Sequence, residues 1–326
     1  MRVLVTGGAG YVGTMAAAYL LQQGFEVSVF DNCLFGAHHL IAFSDFPFRF
    51  IQGDIRDPHA VFAAMKGIDA VVHLAAVVGE AACLVDPTAA RSINLEGAKI
   101  TLAASQQCDV ERFIFISTCS NYGISTPNTL TTEESPLNPL TDYAISKTLA
   151  EQAILASETS LITTILRFGT ICGLSPKMRF DLLVNDLSRS AVLGVPIKIF
   201  APQAWRPFLH IKDAARAITH CLRAPHEQLN RQVFNVITEN YQKKDLADLA
   251  EKHFPKSYID IIDKAADLRD YQVSDRRIRD QLGFTPSFTV EHAFLEVAQA
   301  IQQKVFLDPL WQGFSGVPEI LRTAQT

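Results

Sequence analysis

The chain contains no C-x-x-C pair, no H-E-x-x-H and no cysteine and histidine grouping at zinc spacing, so no metal site is expected. Its six cysteines (Cys33, Cys83, Cys108, Cys119, Cys172 and Cys221) are scattered, and reduced thiols are the default reading. No apolar run approaches the roughly 18 to 20 residues of a membrane span. Met1 leads at once into an apolar strand pattern, which argues against a secretory leader. A cytoplasmic protein with no membrane partner is therefore expected. Blocks of like charge are missing as well. The 29 basic and 34 acidic residues leave a net charge of −5, without the basic patch that nucleic acid requires. Internal repeats and low-complexity segments are absent. What remains is the composition of a well-packed globular enzyme, with 326 residues, 48% hydrophobic and 19% charged, enough for one large or two ordinary domains.

Glycine is where the pattern begins. Arg2 to Val5 reads as a buried strand, Gly7, Gly10 and Gly13 follow at G-x-x-G-x-x-G spacing, and a helical pattern runs from Tyr11 to Gln23. Strand, glycine turn and helix are what a dinucleotide pyrophosphate needs, because glycine lets the backbone approach the phosphates and the helix start offers free N–H groups. Glycines also mark ordinary turns, and the position between a strand and a helix is what favours the dinucleotide. Glu26 to Asp31 reads as a second strand ending in an acid. Asp31 lies about twenty residues beyond the turn, where a carboxylate hydrogen-bonds the adenosine ribose and repels a 2′-phosphate, favouring NAD over NADP. A solvated aspartate at a strand end is the alternative.

Further apolar runs at Arg49–Asp54, Ala70–Ala76 and Arg112–Ile116 alternate with helical patterns, one of which carries Asn94 and runs to about Gln107. Such alternation predicts an α/β fold with a doubly wound parallel sheet, a Rossmann fold, whose ligands sit at the carboxyl ends of the strands. The same sheet edge receives Ser117-Thr118-Cys119-Ser120-Asn121-Tyr122-Gly123, then Asp142-Tyr143-Ala144-Ile145-Ser146-Lys147 at the head of a helix to about Ser157. Four residues apart, Tyr143 and Lys147 share one helix face. A lysine there, with a positive nicotinamide ring nearby, lowers the phenol's pKa and makes it a usable acid or base.

These stretches resemble the extended short-chain dehydrogenase/reductases, and among them the nucleotide-sugar epimerases and dehydratases, of which UDP-galactose 4-epimerase is a familiar member. The resemblance is carried by TGGAGYVG at 6–13, FDN at 30–32, GDIRD at 53–57, HLAA at 73–76, Asn94, STCSNYG at 117–123 and DYAISK at 142–147. It continues through LRFGTICG at 166–173, WRPFLHIKDAARA at 205–217, VFNV at 233–236 and LGFTP at 282–286, and so covers nearly the whole chain. It implies bound NAD and a nucleotide-diphosphate sugar substrate. By position, Tyr143 resembles the catalytic base, Lys147 the residue that holds the nicotinamide ribose and tunes Tyr143, and Thr118 the hydroxyl on the reacting sugar oxygen. Asn94 would be a structural or water-holding group in the same shell. Gly7, Gly10, Tyr11, Val12 and Gly13 would face the pyrophosphate, Asp31 with Asn32 the ribose, Asp54 and Ile55 the adenine, and Leu74, Ala75 and Ala76 the rest of the cofactor. Glu80 lies on a loop expected to face the sugar, and Arg206 and Arg179 are candidates for the diphosphate.

Two departures bear on the reaction. Sugar 4,6-dehydratases have an Asp-Glu pair after the catalytic threonine, where this chain has Cys119 and Ser120, which supply neither the acid nor the base of a dehydration. Epimerisation therefore ranks above dehydration, with a net NAD(P)-dependent oxidation or reduction of a nucleotide-linked sugar as the other alternative. Cys119 is either a proton-transfer group or a small side chain beside the site. Thr170 and Cys172 replace the asparagine and tyrosine of R-x-x-N-V-Y-G, which puts the usual phosphate contact there in doubt. The expected organisation is a cofactor domain over 1–169, with returning segments at about 207–237, and a smaller C-terminal α/β substrate domain from 170–206 and 238–326. A homodimer is implied through the helices of Asn94–Gln107 and Tyr143–Ser157, with Ala98, Leu102, Leu149 and Ala153 on their apolar faces. Trp311 and Phe314 match no motif and are read as covering the substrate or a partner subunit.

Overall fold

The strands β1 (Arg2–Thr6), β2 (Glu26–Asp31), β3 (Phe48–Gln52), β4 (Ala70–His73), β5 (Arg112–Thr118), β6 (Ile162–Phe168) and β7 (Gln232–Val236) hydrogen-bond in the order β7-β6-β5-β4-β1-β2-β3 in a computed structural model of the chain. Every neighbouring pair is parallel. The structure describes residues 1–126, 129–262 and 268–306, so Trp311 and Phe314 lie outside it. Among the described residues no helix is long and apolar enough to cross a membrane.

Side chains alternate across the pleat, so each strand feeds two cores. Val3, Val5, Val27, Val29, Ile114 and Leu166 pack against the helices Tyr11–Gln22 and Ile211–Arg223. Leu4, Val71, Phe113, Phe115 and Ile165 pack on the other face against the helices Pro58–Met65, Ala98–Gln107 and Asp142–Ala156. This is the doubly wound arrangement, with the direction of winding reversing between β1 and β4. The crossovers separate there and leave a crevice above the strand ends.

A second, smaller layer covers that crevice. The strands Thr170–Cys172, Trp205–His210 and Glu239–Gln242 form one sheet, and Ile197–Phe200 pairs with Ile259–Ile262. Phe208, Leu187, Leu246 and Phe294 build their core with the helices Leu183–Leu193, Lys243–His253 and Val290–Gln302. Of the two segments expected to rejoin the large sheet, only Gln232–Val236 does so. Residues 207–210 stay in the smaller sheet, because that strand finds a parallel partner in Thr170–Cys172 and an antiparallel one in Glu239–Gln242. The chain returns with the Ile211–Arg223 helix, which lies along the first helix.

The large sheet and the helix carrying Tyr143 are pinned by one buried ion pair. Arg167, on β6, meets Glu151, on the Asp142–Ala156 helix, through Nη2 to Oε2 at 2.7 Å and Nε at 3.1 and 3.2 Å, and the residues are 4% and 1% exposed. The spare donors and acceptors are filled. Asn121 and Ser117 donate to Glu151, Arg167 donates to the Tyr122 hydroxyl at 2.9 Å, and Tyr122 donates to Asn235 on β7 at 2.7 Å. Removing one partner of such a pair strands a buried charge, which costs about 3–5 kcal/mol, whereas removing both charges costs much less. Arg167→Met is expected to lose stability of that order in urea unfolding, with Glu151→Gln added to it restoring part of the loss. Equal stability of the single and double variants would show that the pair does not act as a unit.

Candidate active site

The turn after β1 approaches β4 so closely that its glycines are obligatory. Gly7 has φ +70°, and a Cβ on it would stand 2.6 Å from the Ala75 nitrogen. A Cβ on Gly13 would stand 2.2 Å from the Gly7 carbonyl oxygen. The helix Tyr11–Gln22 starts at Gly10 without a side-chain cap and without an acid in its first turn. Its first N–H groups and its positive end are thereby left to an anion. Asp31, at the end of β2, accepts the Ala9 N–H at 3.0 Å and the Cys33 N–H at 2.8 Å. It thus ties the glycine turn to the second strand, and burial raises its carboxyl somewhat against those two bonds. A cradle that only glycine permits, an open helix start and a carboxylate at the ribose position fit a dinucleotide.

One cleft runs from this turn to the helix of Tyr143. Gly7, Gly10, Tyr11, Val12, Gly13, Asp31, Asn32, Asp54, Ile55, Leu74, Ala75 and Ala76 all line it, as do Thr118, Ser120, Glu80, Arg179, Tyr143 and Lys147. Asp54 is held by Arg56 at 2.6 Å, whose hydrogen bonds keep its carboxyl below the usual range. Thr170, in place of the family's asparagine, also faces the cleft.

Three expected site residues do not face it. Asn94 is 1% exposed and its amide is spent on the chain after β4: it accepts the Val77 N–H at 2.8 Å and donates to the Val77 carbonyl at 3.0 Å and Ser146 Oγ at 3.2 Å. From a turn of π-helix at Ser92–Gly97 it fixes the loop that the cofactor would lie on, and takes the structural one of its two expected roles. Cys119 is fully buried, with its thiol donating to the Arg167 carbonyl at 3.2 Å and pushed far up by burial. Its thiol faces the core rather than the cleft, which leaves the small side chain beside the site as the reading its geometry supports. Arg206 is buried and donates to the carbonyls of Trp205 and Arg269. It braces Arg269, and Arg269 is the residue that lines the cleft.

Two basic residues in the cleft were not marked by any motif. Arg269 donates to Ser120 Oγ at 3.0 Å. Lys177 donates to the Phe35 carbonyl and lies in the field of Asp31. Neither carried a spacing signal, since each reaches the cleft from an irregular segment far along the chain.

The electrostatics around the two helix residues differ from the simple expectation. Burial pushes the Tyr143 phenol well up, and the neighbouring Cys83 adds to this; Arg179, Arg269 and the Thr118 hydroxyl pull it back. Lys147 sits with Nζ 3.9 Å above the centre of the Phe115 ring, and burial lowers it to about 7 against the pull of Glu151. The lysine expected to supply charge to the phenol is thus close to losing its own. The guanidinium groups on the opposite wall favour the phenolate instead.

Away from the cleft, His210, His292 and Glu296 bring ligand atoms within 4.8 Å of one another. The donor set does not suit a cation. His210 Nδ1 accepts the Lys212 N–H at 3.1 Å, which puts the proton on Nε2, and Glu296 is already bound by Lys212 at 2.5 Å and by the Leu174 N–H at 2.8 Å. The group is a hydrogen-bonded strut.

The family model described as "NAD dependent epimerase/dehydratase family" matches residues 3–236. A UDP-glucose 4-epimerase of Corynebacterium glutamicum is 28% identical over 92% of this chain and 95% of its own length. A dTDP-glucose 4,6-dehydratase of Streptomyces niveus is 29% identical over 67% of this chain and 68% of its own. Among solved structures, a UDP-glucuronic acid 4-epimerase from Bacillus cereus, in complex with UDP-glucuronic acid and NAD, superposes with a TM-score of 0.83 over 93% of this chain and 99% of that one. At 22% identity the last likeness is one of fold.

The lysine carries a pH dependence. Between about pH 7 and its ordinary 10.5 the unfolded chain keeps a proton that the folded lysine has released. Stability of the cofactor-free protein should therefore rise with pH in that window, by at most about 1.4 kcal/mol per unit. Lys147→Met should flatten the rise between pH 7.5 and 9.5 in denaturant titrations. An unchanged slope would mean that Lys147 stays charged in the fold.

Proposed function

The chain belongs to the NAD dependent epimerase/dehydratase family of extended short-chain dehydrogenase/reductases, with NAD as its cofactor, and from that premise we propose that it epimerises a nucleotide-diphosphate sugar through a transient keto sugar. Tyr143 is the base. It removes the proton from a sugar hydroxyl, most simply that on C4, while Thr118 on the facing strand end holds the same oxygen. Bound NAD supplies a reversible hydride acceptor. Lys147 positions the nicotinamide ribose, and Arg179 and Arg269 favour the phenolate. Proton transfer by a positioned side chain contributes typically 10²–10⁴-fold to rate. The keto sugar turns over in the cleft, its carbon would take the hydride back on the other face, and Tyr143 returns the proton to the oxygen, so no net oxidation accumulates.

The observation that carries this reading is the meeting of Tyr143, Thr118 and the glycine turn in one cleft at the strand ends. Epimerisation is favoured over dehydration by the residues next to Thr118. Cys119 is turned into the core, and Ser120 Oγ is engaged by Arg269, so the two positions offer no acid and base pair to a leaving hydroxyl. A dehydratase remains the second reading, supported by the Streptomyces niveus relative.

A homodimer is part of the proposal, with its contact revised. Ala98 and Leu102 belong to the core, so they cannot meet a partner. Leu84, Val85 and Ile145 stand exposed on the adjoining helices Glu80–Val85 and Asp142–Ala156. In sedimentation velocity a dimer is expected, and Leu84→Glu with Ile145→Glu should yield monomer; a dimer unaffected by both would place the contact elsewhere.

Cofactor counting tests the reaction type. Denaturing protein purified without added dinucleotide should release about one NAD or NADH per chain. An empty protein that takes up NADH or NADPH reversibly would overturn the epimerase in favour of a reductase or dehydrogenase. Tyr143→Phe should lower turnover by about 10²–10⁴-fold with NAD still bound, and unchanged turnover would remove Tyr143 from the role of base.

A further inference from the structure

The segment Gly173–Arg179 leaves the smaller layer, crosses the cleft and touches the cofactor layer at two places. At its start the Gly173 carbonyl accepts the Tyr11 hydroxyl at 2.6 Å, and Ser175 Oγ donates to the Tyr11 carbonyl at 2.9 Å. Tyr11 is the first residue of the helix whose open end faces the pyrophosphate position. Further along, Lys177 Nζ donates to the carbonyl of Phe35, in the loop that follows Asp31. Tyr11, Phe35, Gly36, Lys177 and Arg179 all line the cleft. The two touching points thus bracket the stretch between the glycine turn and Asp31, where the pyrophosphate and adenosine ribose of a dinucleotide would run.

The segment is held firmly from behind. Asn185 accepts the Gly173 N–H at 2.9 Å, donates to the Arg179 carbonyl at 2.9 Å and donates to the Tyr11 hydroxyl at 3.0 Å. Glu296, itself fixed by Lys212, accepts the Leu174 N–H at 2.8 Å. The Tyr11 end is buried and saturated, whereas the Lys177 end includes an ammonium contact from a partly exposed side chain. The first is built as a fixed hinge and the second as the end that can open.

We propose that Gly173–Arg179 is a strap that retains the dinucleotide, with the Lys177 contact to the Phe35 carbonyl as its latch and Tyr11 as its hinge. The inference rests on the NAD-dependent reading of the cleft. With the latch closed, the pyrophosphate-linked arm cannot leave without breaking the Lys177 contact. Because the strap ends in Arg179, whose charge acts on the Tyr143 phenol, closing over the cofactor also sets the basic wall of the reacting end. Lys177 is a positioning residue here and takes no part in proton transfer.

Release of NAD tests this without reference to turnover. Wild type, Lys177→Met, Lys177→Arg and Tyr11→Phe would each be loaded with NAD and mixed with excess ADP-ribose, and the bound NAD remaining would be followed by mass spectrometry after rapid gel filtration. Loss of one charge-assisted contact corresponds to roughly tenfold. Release is expected to be roughly tenfold faster from Lys177→Met and near wild type from Lys177→Arg. Tyr11→Phe, which keeps the ring in its pocket, should also release faster. Equal release rates for wild type and Lys177→Met overturn the latch, and an unchanged Tyr11→Phe overturns the hinge. The comparison is a ratio of rates with added NAD. If the wild type is purified empty, the epimerase reading falls, while the ratio still decides the strap.

Discussion

The placement of the reacting groups depends on the buried pair of Glu151 and Arg167. Glu151 lies two turns along the helix from Tyr143 and one turn from Lys147, on the face that meets the sheet. Arg167 is on β6, and through Tyr122 and Asn235 its hydrogen bonds continue to β7. Ser117 and Asn121, on either side of Thr118, donate to the same carboxylate. A helix that slid or rotated by one residue would leave a carboxylate in the core without donors, so the helix has one allowed register against the strand end. That register brings the Thr118 hydroxyl within hydrogen-bond reach of the Tyr143 phenol. A buried ion pair is weak support for stability as such, since a well-packed apolar pair can do as well. Its directional bonds are what an apolar pair could not supply.

Burial at the Tyr143 end of the cleft has consequences for charge. It opposes ionisation of the phenol and of Lys147 alike, raising one and lowering the other to about 7. Neither group can activate the other merely by standing one helix turn away. The balance has to come from fixed charges that burial does not neutralise, and guanidinium groups meet that condition because they remain protonated. Arg179 and Arg269 come from the smaller layer. The phenol on the cofactor layer is therefore tuned by the smaller layer.

Much of the cofactor half was legible in the sequence because its signals are local. Strand, glycine turn, helix and terminal Asp31 are read from spacings of a few residues, and the pairing order follows from right-handed crossovers. The site residues that went astray did so for identifiable reasons. Cys119 follows Thr118, the last and still extended residue of its strand, and an extended residue turns its side chain away from the next one. If Thr118 faces the cleft, Cys119 faces the core, and that parity was available from the sequence. For Asn94, residue type gave polarity without direction, and only the position of the Val77 backbone shows where its amide is spent. Arg206 has the right chemistry and the wrong reach. The guanidinium that arrives in the cleft, Arg269, bonds a serine 149 residues away, and no local pattern encodes a contact of that separation.

The same contrast explains why specificity is harder to read than chemistry. Tyr143, Thr118 and the glycine turn sit on the ends of regular elements, where period and spacing fix them. Other residues that line the cleft come from the irregular stretches 77–79 and 173–179 and from the neighbourhood of Arg269. Their positions are set by distant anchors. Asn185 and Glu296 hold the middle stretch, and Arg206 with its carbonyl contacts holds the last. A change in any of these anchors would move a cleft residue without altering a motif. Divergence in the smaller layer can thus change what is bound while the Tyr143, Thr118 and glycine-turn framework, locked by Glu151 and Arg167, keeps its geometry.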